Sequence, residues 1–349
     1  PRLDQRARQT AGDLEVGGGR EDQQGFGVGS HGAAPAAAGD RRGEGYDTRA
    51  PMGLLHQAVV RTLPLVPTSL MRRLSARYIA GETLDSALDA LRGFQAEGFA
   101  GVLDVLGEDV ADEAEAREVV DTYADAARQV RDAGLDAYVS VKPTHVGLRL
   151  GEELALDLYR DLCRRCQELD QFVRVEMEDH TTTDATLRIF SALREDFEQV
   201  GVVLQSRLFR TPADIEALPP ASQVRLVKGI YLEPEGIAHT QPDPIREAFR
   251  TQAAQLLDAG HSVSFATHDE ALGDGLLAEC VRRGLPPDRY EFQVLMGVQR
   301  HLWAKWRDAG ATVRAYVPYG PQWRAYSTRR LRKNPQILGH VMRATLGLS

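Results

Sequence analysis

From residue 98 onward the chain alternates between two kinds of segment, and few folds accommodate that alternation. Short apolar, β-branched runs recur as "GFAGVLDVLG" (98–107), "LDAYVSVK" (135–142), "FVRVEME" (172–178), "GVVLQS" (201–206), "VRLVKGIY" (224–231), "HSVSFATH" (261–268), "YEFQVLMG" (290–297) and "TVRAYVPYG" (312–320). Helical patterns lie between them, such as "ADEAEAREVVDTYADAARQVRDAG" and "DATLRIFSALREDFEQV". The second carries Leu187, Phe190, Leu193 and Phe197 at near-helical spacing. Strands that alternate with helices are parallel and joined by crossovers. Eight units over about 235 residues suit a closed (β/α)8 barrel, for which about 250 residues is typical. An open doubly wound sheet is the competitor, but no GxGxxG follows the first strand. The gap between the fourth and fifth runs is short, so an abbreviated helix is expected there.

Composition narrows the function classes. A length of 349 residues with 43% hydrophobic content supports one large domain or two ordinary ones. A net charge of −8 argues against a nucleic-acid binder, which shows a basic face. The three cysteines, Cys163, Cys166 and Cys280, give no disulfide framework. The CxxC within "DLCRRCQEL" reads as two thiols on a helix in a reducing compartment, and no metal is expected. No apolar run reaches the roughly 18–20 residues needed to span a bilayer. The segment "MGLLHQAVVRTLPLVPTSLMRRLSARYIAG" from Met52 is apolar and basic, but prolines interrupt it and no small-residue cleavage site follows. It reads as an amphipathic arm packed on the domain. Residues 1–50 are rich in Gly, Ala, Arg and Asp and have no apolar period, so they cannot offset their ordering entropy. The expected organisation is therefore a disordered extension over 1–51, a helical arm over 52–98 and a catalytic barrel over 99–349.

In such a barrel the chemistry sits at the carboxyl ends of the strands. The polar residues there are Asp104 and Glu108 after the first run, Lys142 after the second, and Glu176, Glu178, Asp179 and His180 after the third. The later runs end with Gln205, with Arg225, Lys228 and Tyr231, with Thr267 and His268, with Gln293 and Leu295, and with Tyr316. Each alone reads as a solvated charge or a structural side chain, and Glu178 to His180 read equally as an acidic helix start. Lys142, Arg225 and Lys228, however, lie in otherwise apolar runs, where each needs a partner or a ligand. Near the end, "AYSTRRLRKN" places Tyr326, Arg329, Arg330 and Lys333 on one helix face. Two readings stay open there. One is a solvated basic face near a helix C-terminus; the other is an anion cradle of planar guanidinium forks.

Seven motifs in order resemble the proline dehydrogenases: "VSVKPTHVGL", "VRVEMED", "VVLQSRLFRT", "RLVKGIYLEP", "FATHDE", "YEFQVLMGV" and "YVPYGPQWRAYSTRRLRKN". The resemblance runs from about Tyr78 to Ile337 and implies a distorted (β/α)8 barrel that carries FAD. It implies oxidation of L-proline to Δ1-pyrroline-5-carboxylate, with hydride passing to the flavin and electrons passing on to a membrane quinone. By the same resemblance Arg329, Arg330 and Lys142 grip the proline carboxylate, Tyr316 and Tyr326 wall the pocket, and Leu295 packs on the ring. Glu108 is similar to an acid that gates the bound substrate. Gln205, Arg225, Lys228, Gly229, Tyr231, Thr267 and His268 fall where the family contacts FAD, with Arg225 near the reactive flavin nitrogen. Lys142, Arg225 and Tyr316 are the expected catalytic set.

Two residues depart from the family pattern. Glu176 stands where Asp is usual beside the substrate lysine, and Lys333 stands where Glu is usual. These departures bear on substrate preference and on FAD contacts, and they keep two other readings in view: hydroxyproline as substrate, and a barrel that has lost catalysis and senses a small imino acid. Another flavin barrel, such as a methylenetetrahydrofolate reductase, lacks support because its motifs are absent. A separate pyrroline-5-carboxylate dehydrogenase is the expected downstream partner, and a cytoplasmic location with peripheral membrane contact is expected. Arg61, Arg72, Arg73 and Arg77 on the arm are the candidate membrane surface, against the plainer reading of an arm that only packs on the barrel.

The first methionine, Met52, coincides with the onset of apolar residues, so the natural start is expected at or near it. Mass spectrometry of the native N-terminus checks this; a peptide from residues 1–50 in a cell extract contradicts it.

Overall fold

A computed structural model describes residues 68–333, with backbone alone at 69, 70, 73, 74 and 329–333. All eight apolar runs form strands: β1 Ala100–Val105, β2 Ala137–Val141, β3 Val173–Val175, β4 Val200–Gln205, β5 Gln223–Val227, β6 Ser262–Ala266, β7 Tyr290–Leu295 and β8 Thr312–Tyr319. They pair in sequence order, all in parallel, and β8 closes onto β1 with Ala100 opposite Arg314 and Val105 opposite Tyr319. The expected (β/α)8 barrel is the observed one. Residues 1–67, which include Met52, Arg61 and the first part of the expected arm, lie outside the described residues.

The helices follow from capping and from apolar spacing. Helix α3 (Glu113–Asp132, after α1 Thr68–Ser75 and α2 Leu84–Ala96) starts where the Asp112 side chain accepts from the Glu115 N–H at 2.9 Å. Glu115 reaches back to the Ala111 N–H at 2.6 Å, which satisfies a second free donor at the helix start. Its buried face is Ala116, Val120, Tyr123, Ala127 and Val130, a spacing of three and four residues. Helix α4 (Glu152–Glu168) buries Cys163 and Cys166 in its core-facing stripe. Burial pushes the Cys166 thiol up to about 12 and Cys163 higher still, so neither forms a thiolate near neutrality.

Helix α5 (Thr183–Asp196) stops earlier than its sequence pattern suggests. Phe197 is already extended, and β4 begins three residues later at Val200, so the strand takes residues that helical periodicity would have continued. As expected, α6 between β4 and β5 is short, only Thr211–Glu216. Helices α7 (Pro242–Asp258), α8 (Glu270–Arg282) and α9 (Arg300–Asp308) complete the ring, and α10 (Trp323–Lys333) follows β8. The described end of the arm docks on α10. Met71 packs with Ile79, Leu106 and Trp323, and Ser75 Oγ bonds Ser327 Oγ at 2.7 Å.

The apolar core lies between strands and helices, with Trp303, Trp306, Phe249 and Phe190 fully buried. Barrel interiors are usually filled by branched aliphatic residues, but this one is polar. Tyr138 and Ser140 of β2, Arg174 of β3 and Glu176 just after it, Arg225 of β5, Ser264 of β6, Glu291 and Gln293 of β7 and Arg314 and Tyr316 of β8 form one connected interior network. At the amino-terminal end a cavity of about 500 Å3 is lined by Arg174, Glu291 and Arg314. Its cations each have partners, although Arg174 Nε is buried without one. Arg314 meets Asp136 at 2.9 Å and Glu291 at 3.0 Å, and Arg174 donates to the Gln223 carbonyl at 2.7 Å and lies over the Phe172 ring. This end reads as structural.

Gly201 is needed where β4 passes this buried arginine. A Cβ there would come within 2.5 Å of the Gln223 carbonyl oxygen and 2.6 Å of Arg174 Nη1. Gly201→Ala is expected to lower unfolding free energy by about 1–3 kcal/mol through overpacking. Denaturant titration reads this, and an unchanged midpoint contradicts it.

Candidate active site

The carboxyl mouth of the barrel gathers most of the polar residues singled out in the sequence. At its centre Arg225 donates from Nη1 to Glu176 Oε1 at 2.5 Å and from Nε to Gln293 Oε1 at 2.5 Å. Glu176 Oε1 also accepts from Ser140 Oγ at 2.5 Å and from Tyr316 OH at 3.1 Å, and the guanidinium lies 5.2 Å from the centroid of the Tyr316 ring. Burial works to neutralise both partners, but each holds the other charged. Glu176 stays below the usual carboxylate range, and Arg225 is raised above its ordinary value.

Lys142, at the end of β2, takes a different carboxylate from the one expected. Its Nζ lies 3.2 and 3.5 Å from the two oxygens of Asp104 on β1 and 3.4 Å from the Gly107 carbonyl. Glu176, expected beside this lysine, is instead the direct partner of Arg225. Its longer side chain reaches past β4 to Arg225 on β5, and its effect on Lys142 is through space. Burial opposes the Lys142 charge, but Asp104 and Glu176 together raise its proton affinity, so it is an ammonium. Burial also raises the Asp104 carboxyl, against the pull of Lys142.

Glu178 and His180 are not a helix start, because α5 begins only at Thr183. Glu178 is buried and accepts from the Thr144 N–H at 2.9 Å and its hydroxyl at 2.8 Å, which ties the β3 loop to the β2 loop. His180 meets Glu233 at 2.6 Å, and Gln205 Nε2 donates to the Glu178 carbonyl at 2.9 Å and to Glu233 at 3.2 Å. The Oε1 of Gln205 is buried with no partner, as is Nη2 of Arg225. Gly229 passes directly over that Gln205 oxygen with φ +96, and a Cβ there would come within 2.4 Å of it. Glycine is required both for the left-handed backbone and for the space.

Lys228 is half-buried and pairs with Asp269 at 2.7 Å, and Asp269 also accepts from Arg246 at 2.8 Å. Thr267 is buried, with its hydroxyl accepting from the Asp269 N–H at 3.1 Å. His268 Nε2 accepts from the Leu295 N–H at 3.0 Å, which fixes the tautomer with its proton on Nδ1 and ties β6 to β7. Tyr231 is half-buried and burial raises its phenol, while its carbonyl accepts from Arg207 at 2.5 Å. Glu108 and Tyr326 are half-buried, and Tyr326 packs beside Trp323 and Leu106. The side chains of Arg329, Arg330 and Lys333 lie outside the described residues; the helix that carries them begins directly after β8, at the same mouth.

The sequence reading passed over Ser140 and Tyr138 and attached no role to Gln293 or Asp104. The signal was available: Tyr138, Ser140 and Lys142 alternate along β2, which puts three polar side chains on one face of a buried strand. Glu233 carried no such signal, because it lies in an irregular loop.

A model of the family described as proline dehydrogenase matches residues 87–343. Among curated relatives, the proline dehydrogenase of Deinococcus radiodurans is 36% identical over 282 residues, covering 79% of this chain and 91% of the relative. Proline dehydrogenase 1 of Bacillus subtilis is 31% identical over 291 residues, covering 82% and 95%. Among solved structures, proline utilization A from Bdellovibrio bacteriovorus, inactivated by N-propargylglycine, superposes with a TM-score of 0.69 at 24% identity. That match covers 74% of this chain and 32% of the other, and it supports the fold alone.

Lys228 and Arg246 hold Asp269 down at about 2, from an ordinary value of 3.8, against the effect of its burial. A depressed carboxyl stabilises the fold fully above its unfolded value and loses that contribution as pH falls through the folded value. The stability gap between the native protein and Asp269→Asn is therefore expected to be constant above about pH 5 and to shrink by on the order of 1–2 kcal/mol toward pH 2, solvent screening included. Denaturant unfolding at a series of pH values checks it, and a gap that does not vary with pH contradicts it.

Proposed function

The chain belongs to the proline dehydrogenase family, and we propose that it oxidises L-proline to Δ1-pyrroline-5-carboxylate on an FAD bound at the carboxyl mouth of the barrel. The observation that carries this reading is the Arg225 guanidinium: buried, locked on two sides by Glu176 and Gln293, with Nη2 unpaired. A buried donor without an acceptor is costly unless a bound group completes it. The orphaned Gln205 Oε1 beneath Gly229 is a second incomplete position in the same mouth. Both fit a planar, hydrogen-bonding cofactor such as an isoalloxazine. Lys228, Gly229, Tyr231, Thr267 and His268 would hold the rest of it.

The bound flavin would supply a two-electron acceptor for the hydride that leaves the ring carbon next to the proline nitrogen. The protein's own part is electrostatic and geometric. Arg225 keeps a fixed positive charge in a desolvated setting, where it favours negative charge developing beside it. Lys142, held as an ammonium by Asp104, offers a cation to the proline carboxylate. Arg329 and Arg330, on the helix following β8, would add two planar forks. Tyr316, half-buried and anchored through its hydroxyl to Glu176, would present a ring face to the apolar part of the substrate, with Leu295 and Tyr326 beside it. Glu108 in the β1 loop would close over the bound imino acid. The carboxylates Asp104 and Glu176 are each engaged by a cation, so the amine proton passes out through water or Glu108.

A membrane quinone would take the electrons on, and a separate pyrroline-5-carboxylate dehydrogenase would consume the product. Ile230 and Leu232, 71% and 93% exposed in the loop after β5, give the mouth an apolar rim suited to such an acceptor. Arg72 and Arg77 are exposed on the arm, in keeping with peripheral contact at the cytoplasmic membrane face.

Purified protein is expected to be yellow and to bleach anaerobically on addition of L-proline. Arg329→Ala and Arg330→Ala are each expected to raise the half-saturating proline concentration at least about tenfold, with Lys replacements only partly restoring it. A colourless protein, or unchanged proline kinetics in both Ala variants, contradicts the reading.

A further inference from the structure

We propose that Gln293 is a positioning residue for the reaction: it sets the pose of Arg225 by holding the guanidinium at Nε while Glu176 holds it at Nη1. The inference rests on the reading that Arg225 faces the bound flavin, and it goes beyond that reading by naming what aims the cation.

The amide of Gln293 has one arrangement that works. Its Oε1 accepts from Arg225 Nε at 2.5 Å, and its Nε2 donates to Tyr138 OH at 2.6 Å and Glu291 Oε1 at 2.5 Å. Arginine can only donate and an ionised carboxylate can only accept. Rotating the amide by half a turn would therefore set NH2 against Nε and oxygen against Glu291, losing both bonds. Glu291 is itself fixed by Arg314 at 3.0 Å and by Ser264 at 2.9 Å. Gln293 is 3% exposed, so water cannot take over its role. The guanidinium is a rigid plane. Two of its nitrogens are bound on different strands, so the plane is fixed and Nη2 points where the remaining geometry sends it. One anchor alone would leave it free to pivot about the Glu176 contact.

The chain of contacts Glu176, Arg225, Gln293, Glu291 and Arg314 thus crosses the barrel from the catalytic mouth toward its amino-terminal end. Only its first two members were given a role at the site by the sequence. The others act through Arg225 and touch no substrate.

The test is a double-mutant cycle on the flavin midpoint potential of the purified holoenzyme, with Arg225→Met, Gln293→Met and the double variant. Methionine keeps the volume of glutamine and removes both hydrogen-bonding ends. Arg225→Met is expected to lower the potential, because reduced flavin loses its neighbouring cation. Gln293→Met is expected to lower it in the same direction, and the double variant is expected to match Arg225→Met alone. In turnover, Gln293→Met is expected to reduce kcat about tenfold with KM within about twofold, the size of losing one hydrogen bond to a charged group. An unchanged potential in Arg225→Met sinks the placement of Arg225 at the flavin, and this inference with it. A fall in Arg225→Met without one in Gln293→Met sinks the inference alone. So does a fall in Gln293→Met that adds fully to that of Arg225→Met, since Gln293 would then act independently. Should Gln293→Met fail to fold or retain flavin, Tyr138→Phe removes only the hydroxyl that orients the amide. It is expected to give a smaller fall in the same direction, and no fall there overturns the proposal.

Discussion

Desolvating a guanidinium is among the more expensive things a fold can do, and this barrel does it at its centre. Arg225 is almost fully buried, and its charge survives because Glu176 lies 2.5 Å away. Such a pair contributes little net stability compared with an apolar filling. Removing one partner, however, costs roughly 3–5 kcal/mol, since the other is left as an uncompensated buried charge. Once one ion pair occupies the axis, its remaining hydrogen-bonding capacity must be met by further polar groups. Ser140 and Tyr316 serve Glu176, Gln293 serves Arg225, and Tyr138 and Glu291 serve Gln293. The polar interior follows from that requirement. It exchanges the non-directional packing of an aliphatic barrel core for directional bonds that fix side-chain orientation.

The two ends of the barrel carry similar residue types and do different things with them. At the amino-terminal end Arg314 has two carboxylates, and Arg174 has backbone carbonyls and two aromatic faces, with its Nε left buried and unmatched. At the carboxyl end the satisfaction is incomplete, with Arg225 Nη2 and Gln205 Oε1 buried and unmatched.

The pairing of cations with carboxylates is where the sequence reading and the structure part company. Lys142, Arg225 and Lys228 were legible as cations in apolar strands that had to find partners, and each did. Which partner each found was not legible. Glu176 looked like the counterion of Lys142, but it crosses to Arg225, and Asp104 on the adjacent strand takes the lysine. Adjacent strands in a closed barrel bring β1 beside both β2 and β8, and a long side chain just after β3 can reach β5 past the intervening β4. No spacing along the chain encodes those distances. The same holds for Glu178, which read as an acidic helix start and instead bonds Thr144 in the neighbouring loop.

The sequence by itself determined the barrel. Eight apolar runs separated by amphipathic helices leave parallel strands little alternative to closure, because local periodicity and connection length are properties of consecutive residues. It also determined the short α6 and the rim residues, since side-chain alternation along a strand is local. Only the tertiary structure decided how the interior charges are matched, and that Gln293 and Tyr138 belong to the same network as Arg225. Those are contacts between residues 68 and 155 positions apart. Their energies depend on burial and on distances that exist only once the barrel has closed.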